Sequence, residues 1–442
     1  MVALGALLKM ELEDGYSNLV LDGALKAAKL ERRDEALASA LFYGVLERRL
    51  TLDAVIAAHS KIKIKKMSPQ VRNILRLGVY QLLFSDKIPP SAAVDESVKL
   101  TRACRQASAS GFVNAVLRAV QRDPAALSPS KEAGLAERLS FLYSCPQWLV
   151  TLWLKHYGEA DTKGMLQAFL RPSRVCVRVN TTRVTGEELL RILAEEGVEA
   201  RPDEHLKTAL WLENAGAVEK IEAFQRGLFH VQDLASQLCC QALDAKPGDV
   251  VFDVCAAPGG KAFTTAEHMQ DQGTLTACDL YESRVKLIES GAKRLGLTCV
   301  KARVRDAAKP QETPCLADRV LCDVPCFGLG DIGRKPEIRY KMPDLLANFP
   351  PMQYNILCIA SKLVKPGGRL VYSTCSLTSQ ENEEVVERFL LEHPDFAPQA
   401  LSLPDALLRP CDRGSHRATL LPHISQSDGF FLAAMTRRKP AE

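Results

Sequence analysis

Two patterns of apolar positions divide this 442-residue chain. From Tyr16 to about Gln121, apolar residues recur at the spacing of helices, which predicts an all-helical segment. After Asp233, short apolar runs alternate with helical patterns, and this alternation predicts a doubly wound α/β domain with a parallel sheet. We predict its strands at 250–254, 274–278, 299–304, 319–321 and 369–373, with an antiparallel strand at 429–438. The predicted helices lie at 260–269, 282–295, 352–363 and 380–392.

One helix of the N-terminal segment has clear boundary signals. Ser68 can cap it, and Pro69 fits its first turn. Arg72 and Arg76 lie four positions apart on this helix and therefore share a face. We expect both side chains to reach solvent or phosphate.

A middle segment separates the helical part from the α/β part. Residues 123–130 are rich in Pro, Ser and Ala and predict a linker. Residues 135–232 mix helical stretches with a strand at 175–179, which predicts a small α+β subdomain of undetermined topology. We therefore predict a helical domain at 1–128, a linker and α+β subdomain at 129–233, and an α/β domain at 234–442.

The charge is unevenly distributed. Residues 1–130 contain 19 Lys and Arg against 13 Asp and Glu, whereas the whole chain has a net charge of only +4. Residues 131–442 therefore carry a net charge of −2. A concentration of positive charge in one segment is typical of a phosphate-binding module, although solvated helix faces produce the same excess.

The cysteines and the N-terminus narrow the protein class. The 14 cysteines are scattered without any Cys-x-x-Cys pair, so we predict neither a metal site nor a disulfide framework. The apolar run at 1–10 is followed at once by acidic residues, and no stretch approaches the length of a membrane helix. We expect a cytoplasmic protein and a monomer.

A glycine-containing turn at 253–261 joins the first predicted strand to the first predicted helix of the α/β domain. Its paired glycines allow a ligand to approach the backbone, and the helix start supplies amide donors. It matches neither the dinucleotide fingerprint nor the phosphate-binding Walker pattern. We therefore predict a nucleoside cofactor without phosphates, of which S-adenosylmethionine is the common one.

Acidic residues at the following strand ends fit the same cofactor. Asp279 stands where such folds chelate ribose hydroxyls, and Asp306 is placed to hold the adenine amino group. A lone Asp at a strand end is more often a loop cap, but a series of them is less readily explained so. Lys261 either neutralises the cofactor carboxylate or seats the turn, and Arg284 is either a partner of Asp279 or a surface residue.

Two cysteines follow the ends of two predicted strands of this sheet. Cys326 ends the sequence 323–326, beside Asp323, and Cys375 lies in 372–376. Paired thiols suit methylation of cytosine at C5, where a thiolate adds to C6 and makes C5 nucleophilic. One alternative is that both cysteines are only buried core residues. Another is an amino-group methyltransferase, which would be expected to show Asn-Pro-Pro-Tyr here. Spacing does not tell which thiol attacks.

Together these motifs resemble the RNA cytosine-5 methyltransferases. The resemblance rests on 253–261, 323–326, 334–340 and 373–376. The N-terminal stretches 47–53, 72–81 and 111–118 resemble the helical RNA-binding domain of the antitermination factor NusB. The combination is similar to the RsmB (Sun or Fmu) type of bacterial 16S ribosomal RNA methyltransferase, and implies a Rossmann-like catalytic domain with S-adenosylmethionine and 16S ribosomal RNA as its partners.

The resemblance implies roles for individual residues. Cys375 would be the nucleophile, Cys326 would assist release of the methylated RNA, and Asp323 would contact the cytosine close to the cofactor. Residues 135–232 would help to hold RNA. The implied cofactor contacts are Cys255, Ala256, Ala257, Pro258, Gly259, Gly260, Lys261, Asp279, Arg284, Asp306 and Asp323.

Two departures from the family pattern concern the cytosine crevice. Phe327 stands where the family usually has Ser, and Val324 stands where it usually has Ala; we expect both to line the crevice.

Two other functions stay open. They are a transfer RNA cytosine-5 methyltransferase and an antitermination-like RNA-binding factor with an inactive methyltransferase domain. Intact Cys326, Cys375 and Asp323 disfavour the second of these.

Overall fold

The computed structural model describes residues 1–13, 15–123, 125–130, 132–172, 174–213, 216–310 and 316–440. The chain forms two compact units. The first contains Met1–Leu170 and Ile332–Lys341, and the second contains Arg171–Asp331 and Met342–Glu442. The sequence 123–130, predicted as a linker, contains Pro124, which lies outside the described residues.

The first unit is helical, as predicted. Ser68 caps the helix that begins at Pro69 by accepting a hydrogen bond from the Val71 amide, which confirms the predicted boundary. The apolar run at the start of the chain also forms a helix, which begins before the helical pattern at Tyr16. The helices are α1 (Val2–Leu12), α2 (Ser17–Ala28), α3 (Arg32–Ala58), α4 (Pro69–Phe84), α5 (Pro90–Ala103), α6 (Ser110–Arg122), α7 (Leu135–Tyr143) and α8 (Gln147–Ala168).

The expected exposure of Arg76 is wrong. Its guanidinium is buried and donates to Asp53 at 2.7 Å and to Glu11 at 2.7 Å. Arg72 also pairs with Glu11, at 2.6 Å. Periodicity places both arginines on one face but cannot show that carboxylates from other elements cover that face. The exposed basic residues of this unit include a run in the turn at 61–66, at Lys61, Lys63, Lys65 and Lys66.

The second unit begins with a small antiparallel sheet. Its strand order is β2-β3-β1-β4, with every neighbouring pair antiparallel. The strand predicted at 175–179 is confirmed with the same limits, and the α+β class of this segment is confirmed as well. Its elements are β1 (Val175–Val179), α9 (Gly186–Glu195), β2 (Glu199–Pro202), β3 (Ala209–Glu213), α10 (Glu222–Gln225) and β4 (Phe229–Val231).

The large sheet follows the predicted alternation. Its order is β10-β12-β9-β8-β5-β6-β7, with β11 paired to β12. The central pairs are parallel, and β12 closes antiparallel against β9, as predicted. Its elements are α11 (Leu234–Leu243), β5 (Val250–Asp253), α12 (Gly260–His268), β6 (Thr274–Asp279), α13 (Glu282–Leu295), β7 (Val300–Val304), β8 (Ala317–Asp323), α14 (Phe349–Ser361), β9 (Val364–Thr374), α15 (Glu383–Glu392), β10 (Phe396–Pro398), β11 (Arg417–Leu420), α16 (Pro422–Ser425) and β12 (Phe430–Arg437).

Both faces of this sheet are buried. Along β5, Val251 belongs to the core beneath α11, α12 and α13, whereas the next residue, Phe252, belongs to the core beneath α14 and α15. This alternation is what a parallel strand covered on both sides requires. The ligand-accessible part of such a domain is therefore the edge where the strands end. None of the described helices is long and apolar enough to cross a membrane.

A buried ion pair ties the small sheet to the large domain. Arg178 of β1 donates to Glu267 of α12 at 2.9 Å, and both side chains are almost fully buried. Burial raises the pKa of Glu267 to about 7, against the opposing effect of Arg178. The Glu267 carboxylate therefore takes up a proton at a higher pH than an ordinary glutamate does.

We predict that Glu267→Ala lowers the opening free energy of β1 and α12 by about 3–5 kcal/mol at about pH 8, because it leaves a buried guanidinium without its counter-charge. Hydrogen exchange of the β1 and α12 amides measures this quantity. The control is a double variant, Arg178→Met with Glu267→Met, which removes both charges and should recover most of the loss. Equal losses in the two variants would contradict the role given to the pair.

Candidate functional site

The site lies where the parallel strands β5, β6, β8 and β9 end. The register of β8 and β9 places Asp323 directly opposite Ser373. The Ser373 hydroxyl donates to Asp323 Oδ1 at 2.7 Å. Because both cysteine-bearing loops leave the sheet at this point, the strand register alone brings the two loops to one edge.

The turn between β5 and α12 packs closely against the Phe263 ring. Gly259 has a φ of 114°, and a Cβ there would lie 2.3 Å from the Phe263 ring. A side chain is therefore excluded for both conformational and steric reasons. The helix begins at Gly260, directly after this glycine. The predicted cofactor residues of this turn are Cys255, Ala256, Ala257, Pro258, Gly259, Gly260 and Lys261, with a cis peptide between Ala257 and Pro258.

Asp279 ends β6 beside this turn. Its carboxylate is buried and lies 3.3 Å from the guanidinium of Arg284, and it also accepts the Tyr281 amide at 3.2 Å. Arg284 donates in addition to the Ala257 carbonyl at 2.9 Å. Of the two interpretations of Arg284, the structure supports a partner of Asp279, and this arginine links the acid to the glycine turn.

Asp306 follows β7 at the neighbouring strand end. Its Oδ1 accepts the Ala308 amide at 3.0 Å, and Lys309 lies 3.4 Å from its Oδ2. The carboxylate thus caps its own loop. About a quarter of the side chain remains exposed.

Asp323 and Lys261 form an ion pair at the centre of the site. Lys261 Nζ donates to Asp323 Oδ2 at 2.9 Å and lies 5.0 Å above the ring of Phe430. Burial disfavours the charge of Lys261, but the Asp323 carboxylate outweighs it and raises the lysine pKa above its ordinary value. The amine is therefore a stable cation that points at Asp323, a contact that the sequence pattern did not predict.

Asp253 is the first residue of the predicted cofactor turn, although we had not counted it among the cofactor contacts. It ends β5, is almost fully buried, and its Oδ2 has no hydrogen-bond partner among the described residues. Burial, followed by repulsion from Asp323, raises its pKa to about 7. Its position at the end of the first strand was the available signal. An unpaired buried acceptor is costly unless a ligand satisfies it.

The two predicted thiols meet. Cys326 Sγ lies 3.0 Å from Cys375 Sγ, and both residues are partly accessible. The hydrogen bond with Cys326, together with burial and the Asp331 carboxylate, raises the pKa of Cys375 well above its ordinary value. In the free protein Cys375 is therefore held as a neutral thiol. Of the other described cysteines, most are buried.

The prediction that Phe327 and Val324 line an open crevice is wrong. Phe327 is fully buried, with its ring edge-on to Phe349 at 5.9 Å. Val324 belongs to the hydrophobic core beneath α14 and α15. Both side chains therefore point into the protein interior, which explains how bulky residues fit beside Cys326.

Glu381 is a buried acid of the site region that the sequence pattern concealed. We had predicted a helix from 380, in which Glu381 would be an ordinary first-turn acid. The helix begins at Glu383, and Glu381 lies in the preceding turn with its carboxylate directed inward. It accepts the Phe327 amide at 2.7 Å, next to Cys326.

Within the described ranges, no group of three or more His, Cys, Asp or Glu residues could hold a metal ion.

Comparisons with known proteins agree with this architecture domain by domain. Residues 240–436 match the family model of the 16S rRNA methyltransferase RsmB/F. Residues 1–122 match the NusB family, and residues 145–219 match the ferredoxin-like domain of RsmF/B-like methyltransferases. The predicted fold classes of the three parts are thereby confirmed.

Relatives match over nearly the full chain. The probable ribosomal RNA small subunit methyltransferase B of Bacillus subtilis is 39% identical and covers 99% of this chain and 98% of its own. The ribosomal RNA small subunit methyltransferase B of Vibrio cholerae is 32% identical, with 95% and 93% covered. The crystal structure of PH0851 superposes with a TM-score of 0.82 at 28% identity, covering 98% of this chain and 97% of that one. The chain belongs to the RsmB/F family of ribosomal RNA small subunit methyltransferases.

Proposed function

We propose that this methyltransferase forms 5-methylcytosine in 16S ribosomal RNA with S-adenosylmethionine as the methyl donor, through a temporary bond between Cys375 and C6 of the cytosine. The observation that carries the proposal is the 3.0 Å separation of the Cys326 and Cys375 sulfur atoms. Two thiols delivered by different strand ends to one point suit a reaction in which one sulfur adds to the base and the other assists its release.

The residues of the turn fit the cofactor. We assign the buried carboxylate of Asp279 to the ribose hydroxyls and the partly exposed carboxylate of Asp306 to the adenine amino group. The unpaired Oδ2 of Asp253 offers an acceptor to a cationic or amino group. Gly259 keeps the turn free of side chains. When bound, S-adenosylmethionine supplies a methyl group on a positively charged sulfur.

Cys375 acts as the nucleophile. Once RNA and the positively charged cofactor are bound, the Cys375 thiol loses its proton to solvent, and its thiolate forms a bond to C6 while a ring electron pair moves toward N3. C5 becomes an enamine carbon and takes the methyl group as the bond between that group and the donor sulfur breaks, with the bonding electrons left on the sulfur. Removal of the C5 proton then re-forms the C5–C6 double bond as the sulfur departs. Cys326 assists this elimination and so frees the methylated RNA.

Asp323 and Lys261 hold the base. The Asp323 carboxylate contacts the cytosine, and its orientation is fixed by Ser373 on one oxygen and Lys261 on the other. The positive charge of Lys261 stabilises the negative charge that the ring gains when sulfur adds to it. Both effects require the two side chains to be positioned before the base arrives, as they are in the free protein.

The substrate assignment rests on the relatives and on the first unit. The relatives' names specify the RNA of the small ribosomal subunit. Exposed basic residues at 61–66 offer phosphate contacts that position an RNA without reading its sequence. We assign 1–128 and 129–233 to RNA binding and 234–442 to catalysis.

Replacing each of the two cysteines should block a different step of the reaction. With tritiated S-adenosylmethionine and deproteinised small-subunit RNA, Cys375→Ala should neither methylate nor form an adduct, whereas Cys326→Ala should accumulate a covalent protein–RNA complex. Gel separation under denaturing conditions measures the complex, and Cys411→Ala, at an exposed cysteine, is the matched control. An active Cys375→Ala enzyme would refute the nucleophile, and equal labelling of transfer RNA would refute the substrate.

Loss of the ribose-binding acid should weaken cofactor binding. Asp279→Asn should raise the dissociation constant of S-adenosylmethionine by about 10- to 100-fold, because charged hydrogen bonds to buried groups contribute about 1.5–3 kcal/mol. Isothermal titration calorimetry measures the constant. Glu282→Gln, at an exposed position three residues away, should leave it unchanged. Unaltered affinity in Asp279→Asn would place the ribose elsewhere.

The thiol–thiol hydrogen bond should control the reactivity of Cys375. A raised pKa means a smaller thiolate fraction at any given pH, so iodoacetamide should alkylate Cys375 slowly near neutral pH and faster as pH rises. Cys326→Ala removes the largest cause of the shift and should move the pH–rate profile to lower pH. Mass spectrometry of the Cys375 peptide follows the reaction. An unmoved profile would show that Cys326 does not influence its neighbour.

A further inference from the structure

The Glu381 carboxylate is saturated with hydrogen bonds. It is fully buried, and its Oε1 accepts the Phe327 amide at 2.7 Å and the Gln353 amide at 3.0 Å. Its Oε2 accepts the hydroxyls of Ser376 and, at 2.9 Å, Thr378. Four donors meet two oxygens, so every acceptor position of the carboxylate is used.

Three of the four donors come from the two cysteine-bearing loops. Phe327 follows Cys326 directly, and Ser376 follows Cys375 directly. One oxygen thus holds the backbone of the first loop, and the other holds side chains of the second. Gln353 strengthens the first attachment, because the same amide group also donates to the carbonyl of Pro325 at 3.0 Å.

The turn that carries Glu381 is itself fixed to the sheet. The Tyr372 hydroxyl of β9 donates to the Glu381 carbonyl at 2.6 Å. The adjacent Asn382 accepts the Thr374 hydroxyl at 2.6 Å and donates to the Ser376 carbonyl at 3.0 Å. The carboxylate therefore has a defined position relative to the strand from which Cys375 emerges.

We propose that Glu381 is the positioning residue for the two thiols: its carboxylate joins the Cys326 and Cys375 loops and sets the separation of their sulfur atoms. Glu381 does not touch the base and acts through its neighbours. The inference rests on the proposed function for the roles of the thiols, but the positioning itself is a property of the free protein.

Hydrogen-bond chemistry separates the three informative substitutions. In Glu381→Gln, the amide oxygen can still accept Phe327 and Gln353, and the amide nitrogen can donate to the hydroxyls of Ser376 and Thr378, which rotate to accept. The connection survives without the charge. Glu381→Asp is one methylene shorter and cannot reach both loops. Glu381→Ala leaves all four donors without their acceptor.

The first measurement uses free protein and the azo oxidant diamide. Cys375 and Cys326 lose their two hydrogens to the nitrogen–nitrogen double bond, which becomes a hydrazine, and a disulfide joins the two sulfurs. The closing rate reports how well the thiols are placed. We expect Glu381→Gln to close at nearly the wild-type rate, and Glu381→Asp and Glu381→Ala to close at least ~10-fold more slowly. Peptide mapping by mass spectrometry identifies the linked pair.

Controls separate positioning from folding. Glu384→Gln alters an exposed acid three residues away and should close at the wild-type rate, and Cys326→Ser should not form this disulfide. Thermal unfolding should show that Glu381→Asp is folded at the assay temperature, and its S-adenosylmethionine affinity should be nearly that of wild type. If Glu381→Ala does not fold, the Asp and Gln variants carry the comparison.

The second measurement concerns turnover. With RNA and cofactor, Glu381→Asp should lower kcat with little change in KM for the cofactor, and it should accumulate the covalent RNA complex expected of Cys326→Ala. A folded Glu381→Asp that closes its disulfide as fast as wild type overturns the proposal, as does a Glu381→Gln as slow as Glu381→Ala. Methylation by Cys375→Ala would instead overturn the proposed function and leave the disulfide result intact.

Discussion

The parallel register of β8 and β9 is the constraint on which the site depends. It sets Asp323 against Ser373, and from this pair the chain needs three residues to reach Cys326 and two to reach Cys375. A shift of this register would separate the thiols and detach Asp323 from Ser373 together. Because both faces of the sheet are buried in hydrophobic cores, such a shift would also expose apolar residues, so the stability of the fold protects the geometry of the site.

Around this strand pair, the polar side chains form two clusters with different tasks. Lys261, Asp323 and Ser373 form a charged cluster at the strand ends, which contacts the base in the proposed reaction. Glu381 and Gln353 form a buried cluster behind the thiols that accepts and donates only to protein groups. The division suits a reaction in which the sulfur atoms must keep their places while a bond to one of them forms and breaks.

Much of the fold was predictable from the sequence because its causes are local. The alternation of apolar runs predicted the parallel sheet, and the glycine turn predicted the start of α12 at Gly260. The meeting of Cys326 and Cys375 was predictable because carboxyl ends of parallel strands share an edge. Arg76, Phe327 and Glu381 were misjudged for one reason: what covers a side chain depends on residues distant in sequence, such as Asp53 or Phe349.

The most direct test of the central claim uses small-subunit RNA that contains 5-fluorocytidine in place of cytidine. Fluorine at C5 cannot be removed as a proton, so the elimination that frees the enzyme is blocked after methyl transfer. Protease digestion and mass spectrometry then identify the peptide that carries the nucleotide. The account predicts that, in the presence of S-adenosylmethionine, the nucleotide is bonded to Cys375. A bond to Cys326, or methylated RNA released without any adduct, would contradict it.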